Sequence, residues 1–171
     1  DETGKMPVIP ITYMNSSAAL KAFVGRHGGV VCTSSNAEVV LEKAFEKAHR
    51  VLFFPDQHLG RNTGRAMGIG LDRMPMWKPN QPLGGYGNTA DSLRDSKVIL
   101  WHGFCSVHER FTVEQVEAAR SAFPNVRVIA HPECPMEVID AADEAGSTDY
   151  IQRAVKSAEP GTVFAIGTEI T

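Results

Sequence analysis

The sequence predicts an α/β fold of three layers (αβα), with parallel sheets covered by helices on both faces and arranged as two similar units. Three observations predict it. Short, fully apolar runs such as "VLFF" and "VILW" lack the polar alternation of a half-exposed strand. Strands of that kind belong to parallel sheets buried on both sides. The runs alternate with stretches of helical period. Polar side chains gather just after the runs, on the edge where all strands of a parallel sheet end and where ligands bind.

Taken in order, residues 8–14 ("VIPITYM") read as a buried strand, "AALKAFV" as a short helix and residues 29–33 ("GVVCT") as the next strand. In "NAEVVLEKAFEKA" the residues Ala37, Val40, Leu41, Ala44 and Ala48 fall on one helical face. Residues 50–54 form a strand and "RNTGRAMGIGL" a short helix. Residues 72–96, rich in proline and glycine, break the rhythm and read as a loop insertion. Its Met74, Met76, Trp77 and Tyr86 are expected to pack locally. "KVILW" resumes the sheet. Thr112 and Gln115 have the spacing of a capping box opening a helix to about Ala122. Then come a strand at 126–130, a helix from Pro135 or Met136 toward Asp143, a turn and helix in "GSTDYIQRAVKSA", and a last strand, "TVFAIG".

The bulk numbers narrow the function. A chain of 171 residues with 43% hydrophobic content can build one domain, or two small units. A net charge of −3 without like-charge blocks gives no support to nucleic acid or an anionic membrane as partner. No apolar run approaches the roughly 20 residues of a membrane span, and "DETGKMPVIP" has no leader pattern. Three cysteines, Cys32, Cys105 and Cys134, make no disulfide framework and fit a reducing cytoplasm. Because strand-like segments lie near both ends, the chain is expected to be a fragment of a longer protein. The phosphate-cradling glycine motifs of nucleotide sites are absent, as is a serine nucleophile elbow.

The strand ends carry Tyr13, Asn15, Ser16 and Ser17; Thr33, Ser34, Ser35 and Asn36; Asp56, Gln57 and His58; Cys105 and His108; His131, Glu133 and Cys134; Ser147 and Thr148; and Thr168 and Glu169. "CTSSNAEVV" and "AGSTDYIQR" each place hydroxyls at a helix start, where unpaired N–H groups and the helix dipole attract a phosphate or carboxylate. Plain N-capping accounts for the same residues. Cys105 with His108, and His131 with Cys134, have spacings a zinc ion tolerates, though without the glycines and dense cysteines of a zinc module. Cys32, after two valines, is expected to be buried, and Cys134 to be an ordinary semi-buried thiol. Cys105, at a strand exit, stays open between ligand and packing residue. His27 and His49 are expected at the surface, and His58 is left open between turn and site.

Together "TYMNSSAALKA", "CTSSNAEVV", "FFPDQHLGRNT", "LWHGFCSVHERF", "AHPECPMEVIDAAD", "AGSTDYI" and "IGTEI" resemble the quinolinate synthase family, in order and spacing, over most of the chain outside 72–96. The resemblance implies an enzyme of de novo NAD biosynthesis that condenses iminoaspartate with dihydroxyacetone phosphate to quinolinate, releasing phosphate and water. A functional link to L-aspartate oxidase goes with it. It implies three Rossmann-like units about a pseudo-threefold axis, and an oxygen-sensitive 4Fe–4S cluster on three cysteines with one iron open to substrate.

Residue by residue, Cys105 matches a cluster ligand. Tyr13 and Glu133 match catalytic positions. Asn15, Ser34, His131, Ser147 and Thr148 match substrate-binding positions, and Thr168 and Glu169 match the family's "TE" motif. Cys32 and Cys134 match no ligand position. The chain is expected to hold the middle unit (5–104) and a truncated third unit (105–171), and to be inactive and cluster-free on its own. Two other readings remain at this stage. One is a non-catalytic α/β module holding a phosphorylated or dicarboxylate metabolite through Ser34, Ser147 and Thr148. The other is a zinc protein using Cys105, His108, His131 and Cys134.

Overall fold

The computed structural model describes residues 6–169. The chain divides into two compact units, Asp1–Gly103 and Phe104–Thr171. Every strand pairing in both is parallel.

The first unit has strands β1 (Ile9–Tyr13), β2 (Val30–Cys32), β3 (Val51–Phe54), β4 (Met76–Trp77) and β5 (Val98–Trp101) in the order β2-β1-β3-β5-β4. Its helices are α1 (Ala18–Arg26), α2 (Ala37–Lys47), α3 (Gln57–Ala66) and α4 (Ala90–Asp95). Strand side chains alternate between faces. Ile9, Ile11 and Tyr13 of β1 join Val51, Phe53, Val98 and Leu100 in one core with Leu41 and Ala44 of α2 and Leu59 of α3. Helix α1 covers the other face, where Val24 is fully buried. This double cover explains the apolar strands β3 and β5, while edge strand β2 leaves Val30 and Val31 exposed.

Two expectations need correction here. Helix α3 starts at Gln57, several residues earlier than the "RNTGRAMGIGL" stretch suggested. The Asp56 carboxylate, 2% exposed, caps it by accepting the Leu59 N–H at 2.7 Å. Gln57, His58 and Asn62 are consequently buried helix residues, which conceals the helix from an apolar-period reading. Gly60 lets α3 lie close on the sheet, since a Cβ there would fall 2.7 Å from Leu100 and 2.8 Å from the Phe53 ring.

The second correction concerns 72–96, which is folded rather than a plain loop. Strand β4 extends the sheet beside β5, with Trp77 opposite Trp101. The Asn88 side-chain amide donates to the Met76 carbonyl at 2.8 Å and the Leu83 carbonyl at 3.0 Å. Thr89 and Ser92 form a capping box for α4. Met74 joins the main core, so its packing is not purely local.

In the second unit β6 (Arg127–Ala130) lies between β7 (Glu144–Ala145) and β8 (Phe164–Gly167). Helices α5 (Val113–Ala122), α6 (Met136–Ala141) and α7 (Thr148–Lys156) complete it. The Thr112–Gln115 capping box forms as the spacing predicts. Strand β7, only two residues long, was not anticipated. It is held in register by its backbone and by Asp143, whose carboxylate accepts the Val128 N–H at 2.7 Å. Val116, Val128, Ala130, Cys134 and Val138 form this unit's core. No helix among the described residues is long and apolar enough to cross a membrane.

Candidate functional site

Each unit has its own carboxyl edge. In the first, strand order reverses between β1 and β3, the position at which such sheets bind ligands. Tyr13 closes β1 and is 6% exposed; Asn15, two residues on, is exposed. Nearby the Thr12 hydroxyl donates to Ser16 Oγ at 3.0 Å, and Ser17 caps α1 by accepting the Leu20 N–H. Ser34 is half-buried beyond the end of β2, whose Cys32 is level with Tyr13. Asn36 sits at the N-cap of α2, yet its side-chain oxygen accepts the Thr33 N–H at 2.7 Å and no helix N–H. Cys32 is fully buried, and burial pushes its thiol up to about 12. It is a core residue, as its strand setting predicts.

In the second unit the reversal lies between β6 and β8. The chain leaves β6 as His131-Pro132-Glu133-Cys134 in a tight turn, with the Cys134 N–H on the His131 carbonyl at 2.9 Å. The Gly167 carbonyl accepts the His131 N–H at 2.9 Å and the Cys134 thiol at 3.4 Å. Cys134 is therefore a fully buried cross-strand tie, more enclosed than the semi-buried thiol the sequence suggested.

Four buried or half-buried polar side chains meet above this turn. The His108 and His131 rings stack, with centroids 4.7 Å apart and planes 20° from parallel. Glu133, 4% exposed, places Oε2 3.3 Å from His131 Nδ1 and 3.7 Å from His108 Nδ1. His108 is 1% exposed, and its Nε2 lies 3.3 Å from Thr168 Oγ1. Its Nδ1 has no hydrogen-bond partner. A buried polar atom in that condition costs about 1–3 kcal/mol.

Cys105, half-buried, brings a thiol to the same spot. Its sulfur, a His108 ring nitrogen and a Glu133 carboxylate oxygen all lie within 4.8 Å of one another. Desolvation lowers the pKa of both imidazoles, His131 to about 4 with a further push from neighbouring His108. At His108 the negative charge of Glu169 opposes that shift. His131 is therefore neutral near pH 7, and its Nδ1 accepts the Glu133 N–H at 3.3 Å.

Of the residues singled out from sequence, the second unit thus gathers Cys105, His131, Glu133, Thr168 and Glu169 around His108. Ser147, 7% exposed, caps α7 by accepting the Tyr150 N–H at 3.3 Å, and Thr148 is exposed on the first turn. Ser147 is thus the N-cap of α7. Tyr13, Asn15 and Ser34 belong to the edge of the first unit. His108 is the residue the sequence undervalued. Its signals were its place after a strand end and its spacing from Cys105, and the one role considered for it was as a zinc ligand. The zinc reading's four-residue set does not assemble as proposed, because the Cys134 thiol turns to the Gly167 carbonyl of β8 and the group that gathers is Cys105, His108 and Glu133. His58, left open from sequence, is buried on the first turn of α3 with Arg61 3.3 Å from its Nδ1.

A doubly wound parallel α/β fold with acids, imidazoles and a thiol at a strand-order reversal defines a small-molecule or metal site of the enzyme type. Residues 2–171 match the family described as quinolinate synthetase A protein, and the chain belongs to that family. It is 67% identical over 167 residues to a quinolinate synthase of Corynebacterium glutamicum, covering 98% of this chain and 42% of that one. It is 56% identical over 167 residues to a quinolinate synthase of Acidobacterium capsulatum, covering 98% and 44%. For a quinolinate synthase of Rhodopirellula baltica the identity is 55% over 163 residues, covering 95% and 41%. The chain spans about two fifths of the length of these relatives.

Proposed function

We propose that the protein carrying this segment is a cytoplasmic enzyme that condenses iminoaspartate with dihydroxyacetone phosphate to quinolinate, for de novo NAD biosynthesis. L-aspartate oxidase is its natural source of iminoaspartate. The observation that carries the reading is the meeting of Cys105, His108 and Glu133 at one strand-order reversal, in a chain of this family.

A 4Fe–4S cluster requires several thiolates. Cys105 fits as one of them, being half-buried at the site. Cys32 and Cys134 do not, being fully enclosed in their cores. The remaining ligands would come from outside this segment, which on this reading holds the middle unit and part of the third. When bound, the cluster supplies a Lewis acid for a substrate hydroxyl or carboxylate. Glu133 is suited to move protons between carbon and oxygen centres, and Tyr13 to do so or to orient substrate. Neutral His131 holds Glu133 in place and hydrogen-bonds substrate. Asn15 and Ser34 contact substrate at the first edge, and Ser147 with Thr148 presents the α7 N-terminus to an anionic group. Thr168 fixes the His108 ring. By itself the segment is inactive and cluster-free, since one thiolate does not retain a cluster.

The test grafts this segment in place of the matching stretch of the Corynebacterium glutamicum relative, with purification free of oxygen. About four irons and four sulfides per chain and quinolinate formation are expected, both lost in Cys105→Ala. A graft that keeps its cluster and makes no quinolinate overturns the reading. So does unchanged iron in Cys105→Ala, or quinolinate made by the isolated segment.

A further inference from the structure

We propose that the amino edge of the first unit's sheet holds a site for a multiply charged anion of the phosphate-ester or pyrophosphate class. The site is a cavity of about 530 Å³ lined by Arg50, Arg73, Arg94 and Lys97, with Asp72 and Asp95. That volume is in the range of small-molecule sites. The cavity lies at the opposite end of the strands from Tyr13, Asn15 and Ser34, and the inference stands without the reaction proposed above.

Chain order puts the cations there. Arg50 directly precedes β3, Lys97 directly precedes β5, and Arg73 lies three residues ahead of β4. Helix α4 ends at Asp95, at the same edge. A helix leaves its last carbonyls unpaired, and these repel an anion. Here side chains take them up. Arg50 donates to the Arg94 carbonyl from Nε at 2.8 Å and also from Nη2, and to the Pro7 carbonyl from Nη1 at 3.0 Å. Arg73 Nε donates to the Asp95 carbonyl at 3.2 Å, and the Ser96 hydroxyl to the Leu93 carbonyl at 2.7 Å.

What remains is donor capacity and charge. A guanidinium carries its N–H donors in a planar fork that matches phosphate oxygens. Arg73 spends only its Nε–H on protein, which leaves both terminal nitrogens for an anion. Lys97 Nζ stands 5.6 Å from the centre of the Phe45 ring, a contact that steadies the ammonium without cancelling its charge. Among the described residues Arg50, Arg73 and Lys97 form no ion pair; Arg94 pairs with Asp91.

Four cationic side chains therefore face one cavity against two carboxylates. An excess of one sign in a concave site repels itself and attracts the opposite charge. A singly charged anion leaves part of that excess uncancelled, whereas a phosphate ester or pyrophosphate removes it and accepts from the Arg73 fork and the Lys97 ammonium together. Arg50, fully engaged with backbone carbonyls, contributes charge and holds the wall in place.

The test titrates this chain with inorganic pyrophosphate at low ionic strength, followed by calorimetry and by backbone amide NMR. Binding is expected with amide shifts at Arg73 and across 94–97. Arg73→Gln and Lys97→Gln should each weaken it by about 5- to 10-fold, and the double variant by about 30-fold or more. Asp72→Asn removes an opposing charge and no donor, and should tighten binding by about 2- to 5-fold. Ser147→Ala should leave the affinity unchanged, which separates this cavity from the α7 N-terminus. Undiminished binding in a double variant whose circular dichroism is native overturns the proposal. So do shifts confined to 33–36 or 147–149, or an Asp72→Asn variant that binds no tighter. The shift map and Asp72→Asn decide the matter even if the double variant unfolds.

Discussion

The two units share a core wiring. In each, a central strand has the second strand of its βαβαβ run on one side and the third on the other: β2-β1-β3 in the first unit and β7-β6-β8 in the second. What they carry at the carboxyl edge differs. The first unit closes β1 with a tyrosine, amides and hydroxyls, and it buries its thiol, Cys32, in the core. The second closes β6 with His131 and Glu133, stacks His108 on them and leaves Cys105 half-exposed. The same wiring therefore provides a hydrogen-bonding wall in one case and a cluster of thiol, imidazoles and carboxylate in the other. Strand order fixes where a site lies, and the residues just past the strands fix its chemistry.

The largest expected contrast is between thiols. Under native conditions Cys105 should react with iodoacetamide about 1000-fold faster than Cys32 or Cys134, whose modification requires opening of a core. Peptide mass spectrometry over time checks this, and comparable rates for Cys105 and Cys32 would erase the distinction drawn between the units. Next is the close approach of α3. Gly60→Ala should destabilise the first unit by about 1–3 kcal/mol, because the added methyl meets Phe53 and Leu100. Urea unfolding measures it, and a neutral result would mean that α3 is not seated as described.

Alkaline pH sharpens the comparison at Cys32. Its thiol titrates near 12 folded, against an ordinary value of 9.0. The folded state thus holds its proton more tightly than the unfolded chain, so this stabilisation is complete below pH 9 and is lost as pH rises from 9 toward 12. Wild type should lose about 1.4 kcal/mol per pH unit in that window relative to Cys32→Ala. Parallel slopes for the two proteins in denaturant titrations from pH 8 to 11 would contradict the burial argument.

The smallest effect compares equivalent helix starts. Ser147→Ala removes a hydroxyl that caps α7 and should cost about 1 kcal/mol. Asn36→Ala at α2 removes only a bond to the Thr33 N–H and should cost about half as much. Thermal melts of the two variants decide it, and equal losses would show that both side chains serve their helices alike.

Much of the fold was legible because apolar runs and helical periods are local signals. The strands at β1, β3, β5, β6 and β8 and the Thr112 capping box follow directly from them. Strand β4 escaped because its two residues are set among prolines and glycines, and β7 because two residues carry no period. The start of α3 escaped because buried polar residues occupy its first turn. At the site, the strand-end positions of His131 and Glu133 were readable, and the family resemblance drew attention to Cys105.

What the sequence determined by itself was the class of fold, the sheet edge on which the polar strand-end residues fall and the family to which the chain belongs. All three are written in patterns along the chain. Only the tertiary structure decided which strand-end residues meet. Burial and the pairing of β6 with β8 set His108 between Glu133 and Thr168 and turned Cys134 inward, and these outcomes depend on contacts between residues up to 60 positions apart. No local pattern records such contacts, because the hydrophobic cores that enforce them form only when the whole unit folds.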